Sequence, residues 1–526
     1  MTTATEEKRQ LAELHRQIWD VACGFWGKME ADDYKDYVLG LLFYRFLSER
    51  VESHVNTMLA NDIAAGDVAS YADAWGNSDY EGLEEDLLAD LGFIIEPKYL
   101  FSQMIQLIEV EKTGFSIEYF QDALKSLDEY AQRGPAKNVL DNIFEVMDLD
   151  SSKLGKTYAQ KSKLIAQALS SINKIGFGHG DLKIDLMGDA YEYLIGQFAA
   201  GAGKKSGSYY TPSQAGVLLA RLATVGKTSV EAAYDGCGGS GSLLLHVGKE
   251  VEVNHYYYQE LTTNTYNLAR MNMMLHSVDY DSIHMENDDT LENPAFMDKK
   301  MDVIVANPPY SQKWESNATH LTEDRFAEFG VLPPKGYADY AFLMTMLHTL
   351  KHDGTMAILL PYDPLFRGSK EKEVRQKLIE KNYVDAIIGL PDNVFYGTGI
   401  PTAIFVLKKN RSTKDILFID ASKDFVKDGN KNYIPDASLN KILDTYEGFV
   451  SVDKYAYVAS AADVKANDCN LNIPRYVDVS EAEEAIDLEM VKSSRDALLL
   501  RAQELDLEIE EMIGQLVNTF AEKENR

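Results

Sequence analysis

The sequence predicts an α/β protein with a mostly parallel, doubly wound sheet, preceded by a helical domain and followed by a helical tail. In the middle of the chain, short runs of β-branched and aromatic residues alternate with helical segments such as TTNTYNLARMNMMLH, which is typical of such sheets. On both sides of this region apolar residues recur at helical spacing. We therefore predict three parts, residues 1–170, 171–475 and 476–526.

The first part, residues 1–170, is predicted to be a packed helical domain. Apolar residues recur every three or four positions between Leu11 and Ala22, as on one face of a helix. The stretch Tyr37–Val51 is too long and too apolar for an ordinary strand. An acidic connector containing Gly, Asn and Asp is expected at Asn61–Gly92.

The middle part is predicted to contain a series of strands whose carboxyl ends meet at one edge of the sheet. In doubly wound sheets, ligands bind at that edge. The candidate strands are EAAYD ending at Asp235, HYYYQE ending at Glu260, SIHMEN ending near Asn287, DVIVAN ending at Asn307, TMAILLP ending at Pro361, VDAIIGLP ending at Pro391, and TAIFVLKK.

The tail is predicted to be a charged helix with one apolar seam. Such a seam at heptad spacing is typical of a helix that packs against a partner helix, and on a terminal polar helix we expect that partner to be another chain. The seam residues, spaced 4, 3, 4, 3 and 4 positions apart, are Leu498, Ala502, Leu505, Ile509, Met512 and Leu516.

Composition narrows the function classes. The chain has 526 residues, with 52 basic and 83 acidic side chains and a net charge of -31, which opposes unaided binding to nucleic acid or to an anionic membrane. Its three cysteines are far apart in the sequence, as expected in a reducing compartment. No apolar leader or membrane-length apolar run is present. These features predict a cytoplasmic protein.

The stretch DGCGGSGSLLL (Asp235–Leu245) fits two glycine motifs. Its glycines match the dinucleotide fingerprint G-x-G-x-x-G, with Glu260 about twenty residues further on to bind a ribose. They also match D-x-x-x-G-x-G, through Asp235, Gly239 and Gly241, the turn by which methyltransferases hold S-adenosylmethionine (SAM). Both cofactors need a close backbone approach and an acidic residue. The glycine turn alone therefore leaves both cofactors open.

A second motif, Asn307-Pro308-Pro309-Tyr310, follows a buried strand directly. Proline fixes its own φ and keeps the preceding residue extended, so the turn is stiff. The Asn307 amide oxygen and the Pro308 carbonyl then form two neighbouring acceptors, which suit an exocyclic amine. Accepting both amine hydrogens localises the nitrogen lone pair for attack on a methyl sulfonium. Tyr310 is positioned to stack on a base rotated out of a duplex.

These residues resemble the motifs of a known family. The Asn307–Tyr310 motif resembles that of amino-group DNA methyltransferases, in the form that makes N6-methyladenine. Together with GSYYTPSQ (Gly207–Gln214), DGCGGSGSLLL, YNLARMNMMLH, LFRGS, HRQIWDVA and YVLGLLFYRFLSE, it looks like the modification (M) subunit of type I restriction-modification systems. The resemblance runs from about residue 8 to 520 and implies a SAM-dependent methyltransferase fold of Rossmann type. It also implies site-specific methyl transfer from SAM to adenine N6 in duplex DNA, with base flipping.

The resemblance also implies roles for individual residues. Asp235 would support the glycine turn near the methionine end of SAM, Glu260 would bind the ribose hydroxyls, and Asp289 would accept from the adenine amine of the cofactor. One departure is that Gly236 and Cys237 stand where the family often has Pro and a small residue. The implied catalytic residues are Asn307, Pro308, Pro309 and Tyr310, and the implied cofactor-binding residues are Tyr209, Tyr210, Thr211, Pro212, Asp235, Gly236, Gly239, Ser240, Gly241, Ser242, Glu260, Asp289 and Thr290.

The implied partners are duplex DNA, a specificity (S) subunit and, in the full complex, a restriction (R) subunit. Two M subunits with one S subunit are typical of the family, and the tail helix would pack on the S subunit. An S subunit that recognises the DNA would also explain how so acidic a chain acts on it. Basic residues that could still touch phosphates are Lys204, Lys205, Lys313, Arg367 and Lys370.

Other interpretations remain open from the residues. An Asn-Pro-Pro-Tyr turn also suits enzymes that methylate a protein glutamine amide or an RNA base. A nicotinamide-dependent dehydrogenase would use only the glycine turn. A scaffold protein would bind SAM or DNA without turnover. No metal is expected, because His348 and His352 lack a nearby third ligand in the sequence.

Overall fold

The computed structural model of the chain describes residues 12–21, 31–176, 181–201, 210–395, 398–429, 431–479 and 487–524. The chain divides into two compact units, Met1–Asp478 and Val479–Arg526. Among the helices in these ranges, none is long and apolar enough to cross a membrane.

The amino-terminal part of the first unit is helical, as predicted. Apolar stripes on these helices pack into a core that continues into the rest of the unit, so the helical part is not an isolated domain. Its helices are α1 (12–21), α2 (Ala31–Met58), α3 (Ala60–Ala65), α4 (Tyr71–Ala74), α5 (Leu83–Leu91), α6 (Phe101–Ile105), α7 (Ile117–Ala131), α8 (Lys137–Leu140) and α9 (Tyr158–Asn173).

The predicted connector at Asn61–Gly92 is partly wrong, because α3, α4 and α5 occupy much of it. Leu83, Leu87 and Leu91 are buried on one side of α5, and its acidic first turn is stabilised by the positive end of the helix dipole. The acidic composition therefore reflects exposed helix faces rather than an unstructured link.

In the described ranges, nine strands form one large sheet in the order β11-β8-β6-β7-β5-β4-β1-β2-β3. The pairs β2–β3, β1–β2, β1–β4, β4–β5 and β6–β8 are parallel, whereas β7 and β11 run antiparallel to their neighbours. The strands are β1 (Ser229–Asp235), β2 (Glu252–Gln259), β3 (Ile283–Glu286), β4 (Met301–Ala306), β5 (Leu350–Pro361), β6 (Val384–Gly389), β7 (Thr402–Lys408), β8 (Ile416–Asp420) and β11 (Ala456–Ala459), with β9 (Val426–Asp428) and β10 (Lys431–Tyr433) in a separate hairpin.

The predicted doubly wound sheet is confirmed, including all seven candidate strands. Strands β4 to β7 are buried along most of their length, as expected for a sheet covered on both faces. The helices of this region are α10 (Asp181–Gly201), α11 (Ser213–Thr224), α12 (Ser242–Glu250), α13 (Thr263–Leu275), α14 (Asp324–Ala327), α15 (Asp339–Thr349), α16 (Ser369–Glu380), α17 (Asp436–Gly448) and α18 (Ala461–Ala466).

The strand order reverses between β1 and β4. Strands β2 and β3 extend the sheet from one side of β1, and β5 extends it beyond β4. Ligands of doubly wound sheets bind at such a switch point, outside the carboxyl ends of the strands. The topology therefore predicts a ligand site at the residues that follow β1 and β4.

The described residues of the second unit contain one long helix, α19 (Leu488–Glu524). Four residues of its predicted seam are exposed: Leu498 is 72%, Leu505 42%, Ile509 48% and Met512 56% accessible. The side chain of Leu516 lies outside the described residues. Helical residues with so much apolar surface in water are a common sign of a binding face.

Candidate active site

Three of the predicted site residues lie together at the carboxyl edge of the sheet. Asp235 is the last residue of β1, Glu260 directly follows β2, and Asn307 directly follows β4. Because β1 pairs with both β2 and β4 in parallel, the three positions are neighbours at one edge. Asp289 lies three residues beyond β3, at the outer end of the same edge.

The glycine turn after β1 is shaped by contacts with β2. A side chain at Gly238 would place its Cβ 2.1 Å from the Tyr258 ring, so only glycine fits there. Gly239 has φ +53° and Gly241 φ +79°, which glycine adopts readily. The Tyr258 hydroxyl donates to the Gly239 carbonyl at 2.6 Å. The aromatic ring thus holds the turn against the sheet.

Further side chains hold the same turn from other elements. Asn272 on α13 donates to the Ser240 carbonyl at 2.9 Å, and the hydroxyls of Ser240 and Ser242 lie 2.8 Å apart. The Thr290 hydroxyl donates to the Gly236 carbonyl. Sequence reasoning missed Tyr258 and Asn272. The predicted cofactor residue Thr290 holds the turn through its hydroxyl.

Only one oxygen of the buried Asp235 carboxylate has a hydrogen-bond partner. Its Oδ1 accepts from the Cys237 amide at 3.0 Å, while Oδ2 is buried without a hydrogen-bond partner. Burial raises the pKa of Asp235 to about 7. Burial also raises the pKa of the Cys237 thiol, which keeps it protonated and unsuited to act as a nucleophile.

The pKa of Asp235 predicts a pH-dependent stability. An unfolded aspartate titrates near ~4, so the folded chain holds the proton more tightly and stability falls as pH rises from about 4 to about 7. We expect Asp235→Asn, which keeps an acceptor for the Cys237 amide, to raise Tm much more at about pH 8 than at about pH 5. Calorimetry at both pH values measures this; an equal gain at both would contradict it.

Glu260 joins the ends of β1 and β2. Its Oε2 accepts from the Gly239 amide at 3.2 Å and its Oε1 from the Thr262 amide at 2.9 Å. Burial raises the pKa of this carboxyl, and the backbone donors partly oppose the shift. The side chain therefore fixes the glycine turn as well as presenting a carboxylate at the edge.

Asp289 begins a turn beyond β3. Its Oδ1 accepts from the Leu291 amide at 2.8 Å and from the Glu292 amide at 3.3 Å. This leaves Oδ2 as the oxygen with which Asp289 could bind a ligand amine.

Asn307 is held in one orientation. Its Nδ2 donates to the Thr211 hydroxyl oxygen at 3.0 Å, whereas its Oδ1 is buried without a hydrogen-bond partner. Thr211 and Pro212 immediately precede α11, so the segment before that helix reaches the end of β4. The predicted cofactor residue Tyr209 lies outside the described residues. An amide fixed through its NH2 group presents its oxygen as a free acceptor.

Tyr310 lies beside that acceptor. Burial raises the pKa of its hydroxyl, and the neighbouring Asn307 side chain partly offsets the shift. The hydroxyl is buried, without a partner in good hydrogen-bond geometry. The ring is partly exposed and meets Phe395 edge to face, with centroids 6.3 Å apart. Phe395 therefore packs against the aromatic ring that lies beside the Asn307 amide.

Asp339, which sequence reasoning missed, fixes the end of the motif. Its Oδ1 accepts from the Ser311 amide at 3.0 Å, and Ser311 has a φ of +53°, unusual for a residue with a side chain. Asp339 is 1% exposed, and burial raises its pKa. A buried carboxylate at the start of α15 thus stabilises a strained residue directly after Tyr310.

Arg367 is engaged within the protein rather than open to a phosphate. It pairs with Asp363, its Nη1 lies 3.8 Å from Asp339 Oδ2, and its guanidinium lies 3.8 Å from the centre of the Tyr337 ring. We therefore interpret Arg367 as support for Asp339. Lys313 and Lys370 are exposed, and Lys204 and Lys205 lie outside the described residues.

Two family models match the chain. The model described as N-6 DNA Methylase matches residues 182–485, and the model described as HsdM N-terminal domain matches residues 14–172. A type I restriction enzyme methylase subunit from Mycoplasma pneumoniae is 33% identical, covering 98% of each chain. Another from Methanocaldococcus jannaschii is 28% identical, covering 78% of this chain and 74% of the relative.

Solved structures agree with these matches. The type I restriction-modification methyltransferase subunit from Streptococcus thermophilus superposes with a TM-score of 0.83 at 37% identity, covering 89% of this chain and all of that one. A chain from a study of complex assembly and conformational transition in a type I system has a TM-score of 0.60 at 18% identity, covering 96% and 98%; at that identity the likeness concerns the fold. These matches decide against the nicotinamide interpretation of the glycine turn.

Proposed function

Because this chain belongs to the N-6 DNA methylase family, among the methylase subunits of type I restriction enzymes, we propose that it transfers a methyl group from SAM to the N6 amine of an adenine rotated out of duplex DNA. The observation that carries this proposal is the Asn307 amide, which is fixed through Nδ2 and offers a buried, unpaired Oδ1.

The residues at the edge of the sheet fit SAM. This cofactor supplies an electrophilic methyl group on a sulfonium and carries an ammonium group at its methionine end. The unpaired Asp235 Oδ2 is an acceptor that a cationic amine would satisfy, and buried carboxylates are stabilised by such pairing. Glu260 would bind the ribose hydroxyls, and Asp289 would accept from the adenine amine of the cofactor. The other proposed cofactor residues are Tyr209, Tyr210, Thr211, Pro212, Gly236, Gly239, Ser240, Gly241, Ser242 and Thr290.

Asn307 would act on the target amine. The lone pair of an adenine N6 amine is delocalised into the ring, which makes the amine a poor nucleophile. Asn307 Oδ1 and the Pro308 carbonyl would accept its two hydrogens, localising the lone pair and stabilising the charge that develops on nitrogen. Pro309 keeps the turn stiff, so these acceptors need little reorganisation.

Tyr310, backed by Phe395, would receive the rotated base. An aromatic face contributes about 1–3 kcal/mol to stacking with a base, which offsets part of the cost of unstacking it from the duplex. The edge-to-face contact of the two rings holds Tyr310 in place, since such pairs are stabilising in their own right.

Sequence recognition is proposed to come from a partner. A net charge of -31 disfavours binding of this chain alone to DNA, because affinity there depends on neutralising phosphates. We propose that two copies of this chain assemble with one S subunit, which would bind the target sequence, and that an R subunit joins them for cleavage.

The test is modified-base sequencing of genomic DNA from a methylation-free host that expresses this chain with and without an S subunit. We expect N6-methyladenine at one split sequence only when both are present. Modification of protein or RNA instead, with unmodified DNA in both cultures, would overturn the proposed substrate.

A first prediction concerns the orientation of the catalytic amide. Thr211→Val removes the oxygen that accepts from Asn307 Nδ2 and keeps the side-chain shape, so the amide is free to turn its NH2 toward the substrate amine. Losing a hydrogen bond of about 1–2 kcal/mol should lower kcat about tenfold. Single-turnover methylation measures this, and Thr211→Ser, which retains the oxygen, should remain close to wild type.

Asp339 gives a second prediction. Asp339→Ala removes the acceptor for the Ser311 amide, so the motif loses its anchor after Tyr310, and we expect kcat to fall about tenfold while SAM affinity is retained. Asp339→Asn keeps an acceptor oxygen and should lose less. Equal losses in the two variants would show that the carboxylate charge, rather than the hydrogen bond, is what matters.

A further inference from the structure

A second cluster of polar side chains lies outside the candidate active site, where α10 meets the end of α13. It consists of Asp189 and Glu192, one turn apart on α10, and His276, which follows α13. One ligand atom from each of the three lies within 4.8 Å of the other two. The proposed methyl transfer uses none of them.

The hydrogen bonds of His276 define its free nitrogen. Its Nδ1 lies 3.0 Å from the Asn272 carbonyl, which only accepts, so Nδ1 carries the proton and a neutral ring leaves a lone pair on Nε2. This Nε2 is buried without a hydrogen-bond partner. The ring is fixed in the tautomer that binds metals through Nε2.

The carboxylates of the cluster are also acceptors. Glu192 is 8% exposed, and its Oε1 is buried without a hydrogen-bond partner. His246 Nε2 approaches this oxygen to 3.6 Å, which is too long for a hydrogen bond. Carboxylate oxygens and an imidazole lone pair therefore converge, and among the described residues no donor within hydrogen-bond distance serves Glu192 Oε1 or His276 Nε2.

We propose that Asp189, Glu192 and His276 bind one divalent transition-metal ion of the zinc class. A site of one imidazole and two carboxylates suits zinc, with water in the remaining position, whereas magnesium prefers oxygen ligands alone. His246 faces Glu192 from α12 without hydrogen-bonding to it.

Because the proposed ion would lie between α10 and the end of α13, its role would be structural. A side chain at Gly188 would place its Cβ 2.9 Å from His276 Nε2, so α10 and the end of α13 are closely packed at this point. The ion would tie α10, which precedes the Thr211 segment, to helices that flank the glycine turn. Lys249 Nζ lies 3.5 Å from Asp189 Oδ1, so the lysine competes with the proposed ion for this carboxylate.

The test uses Co²⁺ as a spectroscopic probe on the full chain after chelator treatment and dialysis. We expect one Co²⁺ per chain with a visible ligand-field band, displacement by Zn²⁺, and a rise in Tm on Zn²⁺ addition. Glu192→Gln and His276→Gln should abolish the band and the Tm rise.

The matched control is His54→Gln, since His54 pairs with Asp90 at the surface of α2; it should bind Co²⁺ like wild type. Should both ligand variants fail to fold, Lys249→Ala decides the matter. Because Lys249 competes for Asp189, Lys249→Ala should bind Co²⁺ more tightly than wild type, and an unchanged affinity would place the ion elsewhere. A wild-type chain without the band, or a band unchanged in His276→Gln, would overturn the proposal.

Discussion

Asn307→Ala is expected to lower the rate of DNA methylation by on the order of 10²–10³-fold while leaving SAM binding nearly unchanged. The substitution removes the buried Oδ1 that has no partner in the chain and that we assign to the target amine. Of the proposed cofactor residues, Thr211 hydrogen-bonds to Asn307, but those described after β1 and β2 do not, so most of the cofactor site should persist. Methyl transfer to DNA in the presence of an S subunit and SAM binding by equilibrium dialysis measure the two effects separately.

The control for this prediction is Asn440→Ala, which removes the same side chain from an exposed position on α17. It should methylate DNA at the wild-type rate. If Asn307→Ala instead loses SAM binding and methylation in equal proportion, Asn307 acts on the cofactor, and the role assigned to Oδ1 is wrong.

The strand ends could be predicted because their signals are local. Each strand is a short run of β-forming residues, and the polar residues Asp235, Glu260 and Asn307 interrupt the runs where they end. Parallel pairing then places these residues at one edge without further information. The family resemblance added the chemistry, which the glycine turn alone left open.

The residues that support the site could not be predicted, because their contacts are distant in sequence. Thr211 and Asn307 are 96 positions apart and Tyr258 lies 19 positions from Gly239, and no local pattern marks either pair. Asp339 shows the same limit, since a lone aspartate before an apolar helix resembles an ordinary helix start. Only the packing of α15 reveals that it anchors Ser311.

The surroundings of Arg367 could not be predicted from its charge. A basic residue near a predicted DNA site suggests phosphate binding, but three acidic side chains surround this one. Burial of Glu371, one of the three, raises its pKa to about 7. The sequence gives the sign of a charge but not its neighbours.

The double substitution Leu505→Asp with Ile509→Asp is expected to weaken binding of the S subunit at least ~100-fold. Both side chains lie on the predicted seam of α19, where they are 42% and 48% exposed. Buried apolar anchors carry much of the free energy of an interface, and a carboxylate in their place would be desolvated without a partner. Co-purification with a tagged S subunit and sizing chromatography measure the loss.

Leu507→Asp is the matched control, because Leu507 lies about 200° around the helix from Leu505 and is 66% exposed. It introduces one carboxylate on the other face, compared with two in the seam variant, and should leave the complex intact. A chain ending at Asp478 should lose the S subunit altogether but keep the Tm of the first unit, since that unit has its own core. If Leu507→Asp releases the S subunit as readily as the seam variant, charge rather than the seam governs assembly. If the chain ending at Asp478 still elutes with the S subunit, the docking surface lies in the first unit.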